Sequence, residues 1–121
     1  MDTVVSDKYF EKALQWVNKR KVESVKANYE GYESPKSYTN QRTNETVCPD
    51  ISFVDERGVK NYVEVAVKSD SIRKTVTKWK LLSTLAGLKN GNLYLLAVRG
   101  SKSFVKSEVE KCDLSAKIYS L

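Results

Sequence analysis

Asp50, Glu64 and Lys68 are the residues whose types and spacing could do chemistry. They lie in Pro49-Asp50-Ile51-Ser52-Phe53, a polar turn at Asp55-Glu56-Arg57-Gly58, and Tyr62-Val63-Glu64-Val65-Ala66-Val67-Lys68. Two alternating segments joined by a glycine-containing turn predict a β-hairpin. The side-chain period of two then places Glu64, Ala66 and Lys68 on one face and Val63, Val65 and Val67 on the other. The valine face needs a core. The opposite face presents a carboxylate and an ammonium near the start of the hairpin, where Asp50 also lies. Two carboxylates and a lysine converging at a sheet edge suit a divalent cation acting on a phosphodiester.

The segment resembles the PD-(D/E)XK nuclease superfamily of restriction-endonuclease-like and Holliday-junction-resolvase-like proteins. Pro49-Asp50 matches the first motif, and Glu64 to Lys68 stands where the second belongs, one hairpin later. The family sets its acid and lysine two residues apart, whereas here Ala66 separates Glu64 from Lys68 on the same face. In one alignment Ala66 replaces the acid and Lys68 is the family lysine. In the other, Glu64 is the acid and the lysine is missing or displaced. Glu64 is favoured as the metal ligand, because a buried-edge glutamate beside Asp50 is otherwise hard to explain.

The resemblance implies Mg²⁺ or Mn²⁺ held by Asp50, Glu64 and the carbonyl of Val65, with Lys68 positioning water or neutralising the phosphate. It implies a metal-dependent endonuclease whose nucleic acid is DNA rather than RNA. The fold implied is α/β, a restriction-endonuclease-like core with a mixed central sheet flanked by helices. A homodimer follows by analogy with small nucleases that pair two active sites. With Ala66 in the second motif, the alternative is a nuclease fold without catalysis, serving as a nucleic-acid-binding or protein-interaction module.

Length and charge frame these expectations. A chain of 121 residues fits one domain, 1–121. A formal charge of +6 and an isoelectric point near 9.3 lean towards an anionic partner. The absence of histidine and the presence of only two cysteines, Cys48 and Cys112, argue against structural zinc and against any histidine base. Both cysteines are read as free, buried thiols in a reducing cytoplasm. No apolar run resembles a signal peptide or approaches the ~20 residues of a membrane helix.

The elements that must position the chemistry follow from periodicity. Ser6 is a candidate cap for a helix carrying Phe10, Ala13, Leu14 and Val17 at helical spacing, to about Arg20. Glu11 falls off the centre of that stripe and reads as a solvated residue. Val25, Ala27 and Tyr29 alternate as a first strand. Residues 30–46 are polar, hold Gly31 and Pro35, and read as a long loop. After the hairpin, Asp70 or Ser71 could cap a second helix with Ile72, Val76, Trp79, Leu82 and Ala86 on one stripe, stopped by Asn90-Gly91. Leu93 to Val98 has the continuous apolar pattern of a strand covered on both faces. A short helix around Phe104, Val105 and Val109 precedes a last strand near Lys117 to Tyr119. The expected order is α-β-β-β-α-β-α-β.

Positive charge concentrates next to the candidate site. Arg73, Lys74, Lys78 and Lys80 follow Lys68 with Asp70 as the only acid among them, and Lys74 and Lys78 share a helix face. Cations in a first helical turn oppose the helix dipole, at about 0.3–1 kcal/mol each. They make sense if phosphate visits that end. Arg73, Lys74 and Lys78 are therefore candidate backbone-binding residues. Lys36 and Arg42, interleaved with Tyr29, Tyr32 and Tyr38, form a weaker set of the same kind.

Overall fold

In the computed structural model, residues 7–68 and 72–121 are described. The candidate caps Ser6, Asp70 and Ser71 lie outside them. Helix α1 (Asp7–Asn18) turns Phe10, Ala13, Leu14 and Val17 inward, as its periodicity predicts. Strand β1 (Val22–Ala27) follows, then a short hairpin of β2 (Tyr38–Asn40) and β3 (Glu45–Val47). That hairpin occupies part of the segment expected to be a loop. Its strands are only three residues long and too polar to show a period, so the sequence carried no signal for them.

Strands β4 (Ile51–Asp55) and β5 (Lys60–Ala66) form the expected antiparallel hairpin, with Ile51 opposite Val63 and Ser52 opposite Tyr62. The turn is built by Asp55. Its Oδ1 accepts the N–H groups of Arg57 and Val59 at 2.9 and 3.1 Å, and Gly58 adopts a φ of +77° that side chains disfavour. Helix α2 (Ile72–Leu88), strand β6 (Leu93–Ala97), helix α3 (Lys102–Lys111) and strand β7 (Lys117–Ser120) complete the chain.

The main sheet runs β1-β4-β5-β6-β7. Strands β1, β4 and β5 pair antiparallel, while β5, β6 and β7 pair parallel, giving a mixed sheet flanked by helices. Helix α1 covers one face, packing on Ile51, Phe53, Val63, Val65 and Leu96. Helices α2 and α3 cover the other, where Tyr62, Ala66, Leu93, Leu95 and Ala97 meet Val76, Trp79, Leu82 and Val105. The valine face of β5 thus finds its core beneath α1. Trp79, 1% exposed, anchors α2; truncating such a side chain typically costs about 3–5 kcal/mol.

One expectation is corrected here. Strand β5 is the middle strand of five, so the candidate carboxylate does not stand at a sheet edge. The hairpin alone could not reveal this, because both its neighbours, β1 and β6, come from distant sequence. At β5 the pairing changes from antiparallel to parallel, and Glu64 lies near its carboxyl end. Ligands of open α/β sheets bind beyond the carboxyl ends of the strands.

Candidate active site

Extending the β4–β5 register one step beyond Ile51–Val63 sets Asp50 opposite Glu64. Opposed residues of an antiparallel pair share a face, and this is the face covered by α2. The Asp50 N–H donates to Glu64 Oε2 at 2.7 Å, and the Val65 N–H donates to Asp50 Oδ2 at 2.9 Å. Each carboxylate therefore has one oxygen held by the backbone of the other strand. The two remaining oxygens converge on a single ammonium. Lys78 Nζ lies 2.9 Å from Glu64 Oε1 and 3.8 Å from Asp50 Oδ1.

The loop carrying Asp50 is clamped from behind. The Asn28 N–H donates to the Asp50 carbonyl at 3.0 Å, and Asn28 Nδ2 donates to the Pro49 carbonyl at 3.1 Å. Pro49 is buried and Cys48 half-buried, its thiol 3.4 Å from Asn28 Nδ2. Both cysteines are free, and Cys112 is also half-buried. Asn28 had no visible signal in the sequence, since it joins the site by tertiary contact alone.

Burial dominates the electrostatics. The Glu64 side chain is 4% exposed, whereas those of Asp50 and Lys78 are 20% and 27% exposed. Loss of hydration, reinforced by the neighbouring Asp50 carboxylate, pushes Glu64 up to about 8, and Lys78 only partly offsets this. Burial also raises Asp50, against the pull of Lys78 and the Val65 N–H. For Lys78, burial alone would lower the ammonium, but Glu64 and Asp50 outweigh it and hold it above its ordinary value. Shifts of this kind, caused by desolvation and specific charge partners in one cluster, mark candidate functional sites.

These contacts bring a lysine other than Lys68 to the two acids. Lys68 lies beyond the end of β5 and is exposed; its backbone N–H donates to Ser101 Oγ at 3.0 Å. The ammonium that meets Asp50 and Glu64 is that of Lys78, expected on an outer phosphate-binding face. A sequence signal did exist. Lys78 stands four residues before Leu82, which is fully buried, so the two share a helix row facing the sheet. Arg73 and Lys74 are exposed one turn earlier on α2. Lys36 and Arg42 are exposed on the small-hairpin segment, with Lys36 Nζ 5.7 Å from the Tyr38 ring centre. Glu11 is exposed on α1 and accepts a hydrogen bond from Tyr29 at 2.7 Å. Ala66 is buried among the α2-facing core residues.

The donor set is made of hard oxygens at one point, which fits Mg²⁺ or Mn²⁺ rather than a thiophilic metal. Two carboxylates suffice for Mg²⁺ when water and substrate phosphate complete its shell. Among the described residues, no group of three or more acidic, cysteine or histidine side chains gathers to hold a metal. No helix among them is long and apolar enough to cross a membrane. No known protein family, curated protein or solved structure matches the chain.

Proposed function

We propose that this protein is a metal-dependent nuclease of the PD-(D/E)XK type, acting on DNA phosphodiester bonds. The observation that carries the reading is the convergence of Glu64 Oε1 and Asp50 Oδ1 on one cation, with their partner oxygens pinned by backbone N–H groups. Further support comes from the mixed five-stranded sheet flanked by helices and from the position of Glu64 near the carboxyl end of its central strand.

In this proposal Asp50 and Glu64, with the Val65 carbonyl, hold Mg²⁺ or Mn²⁺. When bound, the metal supplies Lewis-acid charge to a phosphate oxygen and acidity to a water. Lys78 takes the role first given to Lys68. Displaced from the carboxylates, its ammonium remains tethered by α2 within a side-chain length of them, where it can offset charge growing on the phosphate. Arg73 and Lys74 approach the flanking backbone. Because burial raises Glu64 to about 8, holding a cation would require this carboxyl to give up its proton, so metal uptake would be stronger at higher pH.

A second reading keeps the fold and drops catalysis, because Lys78 already satisfies both acids and a buried alanine stands at position 66. A titration with Mn²⁺ beside a plasmid and oligonucleotide cleavage assay separates the two. Metal uptake lost in Glu64→Gln, together with cleavage lost in Asp50→Ala and Lys78→Ala, supports the nuclease. Salt-sensitive DNA binding without metal uptake or cleavage would leave a nucleic-acid-binding module.

A further inference from the structure

The face of the sheet under α1 carries a second concentration of chemistry. The Arg20 guanidinium lies over the Trp16 ring, 3.9 Å from its centre, with the Tyr94 and Tyr119 ring centres 5.7 and 5.8 Å away. The three rings pack on one another, Trp16 lying 5.2 Å from Tyr94 and 5.4 Å from Tyr119. Arg20 is exposed, Trp16 half-buried and Tyr119 38% exposed. An open cavity of about 420 Å³ lies beside this group, lined by Phe53 and Tyr94, by the cations Arg20, Lys21 and Arg57, and by the carboxylates Asp55 and Glu56. Its size falls within the range of small-molecule sites.

The charges around the cavity are unevenly engaged. Asp55 is saturated by Arg57 and by the backbone of its own turn, its Oδ2 lying 3.0 Å from the Arg57 guanidinium. Lys21 meets Glu56 at 3.9 Å with both side chains largely exposed, a pair worth little in water. Among the described residues, no carboxylate forms an ion pair with Arg20. The Arg20 guanidinium lies against all three rings yet the residue is exposed, so part of its planar surface and N–H groups stays open to solvent. Such a surface suits a ligand that combines a flat ring with a negative charge.

We propose that this cavity is a nucleotide subsite: the base stacks on the outer face of Arg20, extending the Trp16–Arg20 layer, and the phosphate rests against Lys21 and Arg57. Stacking of bases on guanidinium planes and aromatic rings is a general mode of single-strand recognition. The unit recognised is a nucleoside monophosphate, free or as one link of a single strand. The subsite is separate from the Asp50–Glu64 cluster. It lies under the other face of the sheet, towards the far end of β4, about 16 Å along the strand from Asp50 to Asp55. It does not depend on the nuclease reading.

The test follows Trp16 fluorescence and the Trp16 indole N–H resonance while the whole protein, in EDTA, is titrated with AMP, dTMP, an octathymidylate strand or inorganic phosphate. Trp79, buried on the opposite face, serves as the internal reference. Saturable change with nucleotide and none with phosphate is expected. Arg20→Ala weakens it at least about tenfold, and Arg20→Lys nearly as much because an ammonium cannot stack. Glu64→Gln leaves it unchanged, so loss of cleavage and loss of this binding are distinguishable. Equal response to AMP and the strand assigns a free nucleotide, and response to the strand alone assigns a link of a chain. The proposal is overturned if no nucleotide perturbs Trp16, if phosphate competes as well as AMP, or if both Arg20→Lys and Arg57→Gln bind within about twofold of wild type.

Discussion

Replacing Lys78 by methionine keeps the length and apolar stem of the side chain while removing the cation between Asp50 and Glu64. With an effective dielectric near 20, the 2.9 Å contact to Glu64 is worth roughly 5–6 kcal/mol of gross attraction and the 3.8 Å contact to Asp50 about 4. Desolvation of the three groups cancels much of this. Removing one partner of a buried pair costs about 3–5 kcal/mol, and the partial exposure of Lys78 and Asp50 reduces the expected loss to about 2–4. The loss depends on pH. Glu64 is raised to about 8 from 4.5, so the folded protein retains a proton that the unfolded chain releases. Native stability contributed by this group is therefore full below pH 4.5 and declines as pH climbs towards 8. At pH 5 Glu64 is protonated and the substitution costs about 1 kcal/mol or less. At pH 9 the wild type pairs an ionised Glu64 with Lys78, while the variant must bury that charge bare or keep it protonated, and the full cost appears. Urea unfolding at pH 5, 7 and 9 measures this trend, and added Mn²⁺ should recover part of the loss at pH 9. A cost under about 0.5 kcal/mol at all three pH values would refute energetic coupling of the three groups.

Lys68→Ala should leave cleavage within about threefold of wild type, while Lys78→Ala lowers it at least about a hundredfold, the range of a lost electrostatic group; single-turnover rates decide between them. Gly91→Ala should destabilise by more than about 2 kcal/mol, because a Cβ there collides with the Lys60 carbonyl oxygen, as a thermal melt would register. Asp55→Asn should flatten the acid limb of the stability curve. Although desolvation opposes it, hydrogen bonds from Arg57, Val59 and Asn61 hold Asp55 at about 2. Its contribution is present above pH 3.8 and vanishes as pH falls towards 2. Acid titration followed by circular dichroism provides the comparison.

Local pattern disclosed the local structure. The 3.6-residue stripes of α1 and α2, the alternation of β4 and β5, and the unbroken apolar run of β6 each reflect one element burying one or two faces. Because opposed residues in a hairpin share a face, the sequence also brought Asp50 and Glu64 together. The sequence could not say that β5 is the central strand, because the strands flanking its hairpin, β1 beside β4 and β6 beside β5, are paired only after long-range closure. Nor did residue type choose the cation, although the row shared by Lys78 and Leu82 turned Lys78 towards the sheet. Lys68 and Lys78 are equivalent as residue types, and Lys68 is nearer in sequence. The end of β5 at Ala66 carries Lys68 away, whereas the packing of Val76, Trp79 and Leu82 fixes the rotation of α2 and directs Lys78 to the acids. Alternation along a strand is imposed by backbone geometry and can be read residue by residue. The meeting of a helix side chain with a strand depends on how two buried surfaces dock, which only the folded core determines.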